Sequence, residues 1–328
     1  MKKGRYLLIS LVLCNILRLA AQIPDAKFDY LDIESGLSNN EVTSITEDKY
    51  GFIWVGTRGG LNKYDGYLFK HYKNESRNFN SLSNNSVETT FSDGRYLWVG
   101  TKSGGLSRYD LLQEQFENYK YQPSNDSSIS SNRIISIYSD SQKRKWFGTW
   151  KNGINLFDST SNSFRRYLPG QKVRDIKEDL EGNVWVASMA NLAVYNPEND
   201  SFEDVPLTKG RSLQITHICN AGKFLYLGTW SNGLLKFDTE TRKIVGQYRK
   251  KETGGTARSN NVYRVFLDSS GRLWVGSWRG GLHLFDEVKE QFYQVNLLSK
   301  NSGSINKNYD IILDIFEDTG GAIWIGTD

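Results

Sequence analysis

The stretch Leu37-Ser-Asn-Asn-Glu-Val-Thr-Ser-Ile-Thr-Glu-Asp48, running on into Lys49-Tyr-Gly-Phe-Ile-Trp-Val-Gly-Thr-Arg-Gly-Gly-Leu-Asn-Lys-Tyr-Asp65, decides the fold. Val42–Glu47 alternates as a strand, Asp48 to Gly51 turns, and Phe52–Thr57 alternates again. Arg58-Gly59-Gly60 makes a second turn, Leu61–Tyr64 a third strand, Asp65-Gly66 a third turn, and Tyr67–Tyr72 a fourth strand. Four short strands joined by hairpins form one antiparallel unit.

The unit recurs. Trp54-Val-Gly-Thr returns as Trp98-Val-Gly-Thr, Trp146-Phe-Gly-Thr, Trp185-Val-Ala-Ser, Tyr226-Leu-Gly-Thr, Trp274-Val-Gly-Ser and Trp324-Ile-Gly-Thr, at spacings of 44, 48, 39, 41, 48 and 50 residues. A period near 45 residues, rich in short strands and lacking a 3.6-residue apolar rhythm, is that of a propeller blade. The expected fold is therefore all-β: a seven-bladed β-propeller of four-stranded antiparallel blades, its last blade incomplete because the seventh repeat stops at Asp328 after its second strand. Phe28–Ile33 resembles a fourth strand without its own blade and is expected to close the ring against the last one.

Alternation in the second strand puts Trp54 and Gly56 on one face and Val55 and Thr57 on the other, both covered by neighbouring blades. Trp54, Trp98, Trp146, Trp185, Tyr226, Trp274 and Trp324 are thus read as inter-blade core, with Gly56 leaving room for a neighbour's ring. Gly59-Gly60, Gly104-Gly105 and Gly280-Gly281 are read as supplying positive φ. Asp48, Asp93, Asp140, Asp179, Asp268 and Asp318 precede the first turn of their repeats. A carboxylate repeated in every unit is a turn cap, not a reaction centre, which needs one unrepeated constellation.

The N-terminus carries Lys2, Lys3 and Arg5, an apolar run from Tyr6 to Leu17, and small residues at Ala20 and Ala21, the layout of a secretory signal peptide over residues 1–21. The run is too short to span a bilayer, which leaves 22–328 as the propeller and an exported or periplasmic location. The chain holds 41 basic and 37 acidic residues, but four of the basic ones lie in residues 1–21, so the remainder is balanced. That balance removes the electrostatic case for nucleic acid. Cys219 is the one cysteine beyond the leader and is read as a buried small hydrophobe. His71, His217 and His283 fall at unrelated repeat positions, so no metal site and no cofactor is expected.

The consensus Leu-Ser-Asn-Asn-x-Val, then Glu-Asp-x-x-Gly-x-(Leu/Ile)-Trp-Val-Gly-Thr-x-x-Gly-Gly-Leu-x-x-Tyr-Asp, is clearest at Leu37–Asp65, Leu82–Asp110 and Asn260–Asp286. It resembles the two-component regulator propeller repeat. The resemblance implies the periplasmic sensor region of a hybrid two-component histidine kinase: two successive propellers, a small β-sandwich, one membrane helix, then kinase, receiver and often DNA-binding domains. It further implies a homodimer when full length, inner-membrane anchoring through downstream segments, and in many members an oligosaccharide ligand. This chain has no phosphoacceptor-His box, no ATP-binding Gly-rich motif and no second apolar span, so it is read as a truncated, non-catalytic piece. The fourth repeat departs from the pattern, with Ala187-Ser188 for Gly-Thr, Asn196 for Asp, and a lead-in at Tyr167–Val173 without Ser-Asn-Asn.

Ligand chemistry is expected where blades differ, on the loops around the channel. Four residues beyond each motif aromatic stand Arg58, Lys102, Trp150, Met189, Trp230, Trp278 and Asp328. Trp150, Trp230 and Trp278 have the flat apolar face and polar edge that suit sugar rings; capping the inter-blade core is the competing reading. Arg58, Lys102 and Arg279 complete the candidate site. Asn39-Asn40, Asn84-Asn85, Asn260-Asn261 and Asn308 offer amides to hydroxyls or serve the turns. The function expected is ligand sensing, with a secreted polysaccharide-cleaving propeller or a protein-binding scaffold as alternatives.

Overall fold

The structure, a computed structural model, describes residues 28–208, 212–250, 260–297 and 310–328. The leader expected over residues 1–21 lies outside the described residues. So does Asn308.

Strands follow one another as hairpins, giving six four-stranded antiparallel sheets, each paired in chain order. In the first, Val42–Glu47, Ile53–Thr57, Gly60–Tyr64 and Phe69–Tyr72 match the units read from the alternation to within two residues at each end. The innermost strands of blades one to six are Val42–Glu47, Val87–Ser92, Ile134–Ser139, Val173–Glu178, Ile215–Ala221 and Val262–Leu267. Each packs on the next, and Ile312–Glu317 packs on both the sixth and the first. The ring is closed.

Two expectations are corrected. The chain forms six blades rather than seven with an incomplete last one: the Trp324 repeat makes only a two-stranded hairpin, Ile312–Glu317 with Ile323–Thr327. Without outer strands the hairpin leaves Trp324 half-buried, whereas Trp54, Trp98 and Trp146 are fully buried. Residues 28–33, expected as a closing strand, make no strand at all. Phe28 packs instead on the cluster holding Trp274, Leu282 and Ile312. Closure comes from side chains. Asp314 Oδ2 accepts the Ile45 N–H at 2.7 Å, and Thr319 donates from its backbone and hydroxyl to Glu47, both at 2.7 Å.

Motif aromatics sit between blades. Trp54 shares a cluster with Leu97, Val99 and Tyr109 of blade two, and Trp98 with Phe147 and Phe157 of blade three. A fully buried ring of this size removes about 150–250 Å² from water, roughly 4–6 kcal/mol of gross stabilisation at about 25 cal/mol per Å². Gly56 has a different reason from the one expected. A Cβ there would lie 2.6 Å from Val87 Cγ1, so the glycine admits the first residue of the next inner strand and not a ring. The same spacing closes the ring, because a Cβ at Gly326 would lie 2.9 Å from Val42 Cγ1. Of each Gly-Gly pair only the second, Gly60, Gly105 and Gly281, has positive φ.

Candidate ligand-binding site at the channel mouth

The turns between second and third strands and the lead-ins to the inner strands are stitched together at one end of the ring. In blades two to six the backbone N–H four residues past the motif aromatic donates to the carbonyl just before an inner strand: Lys102 to Ser86 at 2.9 Å, Trp150 to Arg133 at 3.1 Å, Met189 to Lys172 at 3.2 Å, Trp230 to Gln214 at 3.0 Å and Trp278 to Asn261 at 2.8 Å. The regular blade frame thus delivers side chains that differ from blade to blade to one rim. Ser231 (φ 77°) and Arg279 (φ 65°), each directly after a rim tryptophan, hold left-handed backbone. For residues with a Cβ this is a strained conformation of a kind concentrated at binding sites.

The three rim tryptophans are half-buried and belong to one arc. Trp230 and Trp278 lie 5.8 Å apart between ring centroids, and Trp278 lies 5.5 Å from Tyr263. The Arg174 guanidinium joins Tyr263, at 5.5 Å, to Trp150, at 5.4 Å. Arg133 and Lys172 also stand over Trp150, at 4.2 and 4.6 Å. The clusters filling the inter-blade spaces contain none of the three. Of the other candidates, Arg58 is engaged by Glu41 at 2.8 Å and Glu88 at 3.2 Å, and Glu88 also holds Arg133 at 3.1 Å. Lys102 and Arg279 are exposed and make no ring contact with the arc.

The Asn-rich lead-ins are committed to the backbone. Asn39 accepts the Glu41 N–H at 2.9 Å, Asn84 the Ser86 N–H at 3.1 Å, Asn85 the Asn74 N–H at 2.6 Å and Asn260 the Lys250 N–H at 2.9 Å. Their amide oxygens serve turns, as Asx caps do.

Behind the rim lies a polar belt that the sequence reading missed. The inner-strand residue opposite each motif Gly or Ala is Ser44, Thr89 and Ser136 in blades one to three, then Asp175, His217, Arg264 and, in the hairpin, Asp314. Each of the last four reaches the next inner strand. Asp175 accepts the Ile218 N–H at 2.8 Å and lies 3.3 Å from His217 Nε2; His217 Nδ1 accepts from the Val265 N–H at 3.4 Å; Arg264 lies 3.4 Å from Asp314. Burial, reinforced by Arg264 and Lys177 and only partly opposed by Asp175, lowers the His217 pKa to about 3. Its imidazole is therefore neutral near pH 7, with Nδ1 accepting from Val265 and Nε2 facing the Asp175 carboxylate. Burial would raise Asp175, but the surrounding donors and cations prevail and its carboxyl is held below the ordinary range. Asp314 is raised, burial outweighing Arg264 and the Ile45 N–H. The residues stand ten positions before the motif aromatic in five repeats and nine before it in blades two and five, so that alignment on the aromatics alone does not bring Thr89 and His217 into the column.

The class defined by this geometry is an all-β propeller with a uniform frame and a rim specialised in blades three to six. Its residues 36–59 and 256–279 match the two component regulator propeller family, the repeat that its consensus resembles. Over 76 residues it is 38% identical to Histidine kinase P4 of Formosa agariphila, spanning 23% of this chain and 6% of that protein. Among solved structures, it superposes on the extracellular domain of the candidate hybrid two component system BT3049 of B. thetaiotaomicron with a TM-score of 0.76 and 25% identity, covering 91% of this chain and 40% of that one. The extracellular domain of BT4673 from the same organism gives a TM-score of 0.72 at 22% identity, covering 89% and 38%, a likeness of fold. The chain is similar to extracellular regions of such systems and spans less than half of the structures it matches.

Proposed function

We propose that this chain is the ligand-sensing extracellular propeller of a hybrid two-component sensor, or part of one, and that glycan-derived molecules bind at the rim. The observation that carries this reading is the arc from Trp150 through Arg174, Tyr263 and Trp278 to Trp230. It concentrates aromatic faces, the residues in which binding energy gathers, outside the packing that holds the blades together. The similarity to extracellular domains supports an exported, periplasmic location. Kinase activity, membrane anchoring and homodimerisation belong in this reading to segments of the longer protein, with ligand occupancy shifting a dimer between two arrangements through its differential affinity for them.

A thermal-shift screen of the purified chain against neutral and acidic oligosaccharides tests the reading. A ligand that raises the melting temperature of the parent chain and does not raise that of Trp278→Ala is the expected result. No stabilisation by any saccharide overturns it.

A further inference from the structure

The arc divides chemically into two halves. Around Trp150 three cations crowd one indole, Arg133, Lys172 and Arg174 at 4.2, 4.6 and 5.4 Å. Around Trp278 the neighbours are the rings of Trp230 and Tyr263. Cations crowd the Trp150 indole, whereas the neighbours of Trp278 are aromatic, so Trp150 orients charge while the Trp230–Trp278 half offers the surface for stacking.

The charges are not equally neutralised. Arg133 is paired with Glu88, and Arg58 with Glu41 and Glu88. Lys172 and Arg174 have no carboxylate within ion-pairing distance among the described residues. Arg174 Nε is buried without a hydrogen-bond partner, and so is Gln171 Oε1, three residues earlier. Unmet buried donors and acceptors are costly and therefore rare in folded chains. Gln171 and Lys172 sit in a lead-in without Ser-Asn-Asn, and Arg174 is the second residue of the inner strand Val173–Glu178 that follows. Blades one, two and six spend the lead-in on capping asparagines, whereas blade four has Gln171 and Lys172 there.

We infer that the rim selects an anionic saccharide, its carboxylate or sulfate received by Lys172 and Arg174 while an adjoining sugar ring lies against Trp278 and Trp230. Arg174 couples the halves, its guanidinium standing 5.5 Å from Tyr263 on one side and 5.4 Å from Trp150 on the other. An arginine guanidinium suits the planar oxygens of a carboxylate or the oxygens of a sulfate ester. This inference rests on the ligand-sensing reading and adds the charge of the ligand.

Calorimetric titration of the full chain with three probes tests it: an unsulfated oligogalacturonate, a sulfated galacto-oligosaccharide, and the same galacto-oligosaccharide without sulfate. At least one anionic probe is expected to bind at least about tenfold more tightly than the neutral one, with affinity falling as ionic strength rises. The double variant K172Q/R174Q is expected to bring the anionic probe down to the neutral level. Should that variant lose its melting transition, Lys172→Gln alone carries the test, because its ammonium makes no hydrogen bond among the described residues. Carboxylate binding without sulfate binding assigns the group as a uronate, and the converse as a sulfate ester. Equal binding of neutral and anionic probes, lost in Trp278→Ala, overturns the charge selection and leaves the sensing reading standing. Binding of none of the three overturns both.

Discussion

The indole N–H of Trp54 donates to Asp48 Oδ2 at 2.7 Å, while Asp48 Oδ1 accepts the backbone N–H groups of Tyr50 at 2.9 Å and Phe52 at 3.2 Å. One carboxylate thus caps the turn and satisfies the polar edge of the ring that fills the inter-blade space. The bond recurs from Trp98 to Asp93, Trp146 to Asp140, Trp185 to Asp179, Trp274 to Asp268 and Trp324 to Asp318, all between 2.7 and 2.9 Å. In blade five both partners change together. Tyr226, which has no indole N–H, sits in the sheet where Asn220 takes the acid's place and caps Gly222 at 3.1 Å.

Asp48→Ala should therefore cost about 1–3 kcal/mol, the penalty for a buried donor left unpaired, beyond the loss of the turn cap. Urea denaturation reads the difference. A loss no larger than that of an exposed turn substitution would separate the cap from the indole bond.

Trp98→Ala should cost about 3–5 kcal/mol, because it empties the space between blades two and three. Trp230→Ala, at the rim and outside the inter-blade clusters, should cost less stability and more binding. Equilibrium unfolding and ligand titration on the two variants give the ranking, and the reverse order would exchange their roles.

Gly56→Ala places a methyl 2.6 Å from both Val87 Cγ1 and Ser44 Oγ. Overpacking here should cost about 1–3 kcal/mol. Blade four natively carries Ala187 at this position, packed with Ile215, so Ala187→Gly should be the milder change. Melting temperatures of both variants check the pair.

Stability should fall as pH drops below about 6.5 toward 3. The His217 pKa is lowered to about 3 in the folded chain, chiefly by burial, and that of His283 to about 4, by burial and then Lys250. Across this window the unfolded chain binds more protons than the folded one, so acid favours unfolding. His217→Gln should flatten the dependence of unfolding free energy on pH between 4 and 6.5. An unchanged slope would remove His217 as a contributor.

Cys219 is buried, and burial pushes its thiol up to about 11. A thiol reagent near neutral pH should modify it only after unfolding, because the thiolate is the reactive form. Rapid modification of the folded chain would contradict the packing around it.

Residue order alone determined what repeats. Alternation, turn residues and the recurring Trp-Val-Gly-Thr made the four-stranded blade, its register in blade one and the burial of Trp54 legible, since each depends on neighbours within a few residues. Position four past each aromatic marked the rim for the same reason. What depends on the next blade was not legible. The reason for Gly56 is Val87, the partner of Asp175 is His217, and the contacts that close the ring are Asp314 to Ile45 and Thr319 to Glu47; these pairs are separated by 31, 42, 269 and 272 residues. Only the closed ring places the Ile312–Glu317 hairpin against both blade six and blade one, because those neighbours lie at opposite ends of the chain. It likewise turns three tryptophans, an arginine and a tyrosine from four blades into one arc, since their proximity follows from the curvature of the ring and from no local pattern.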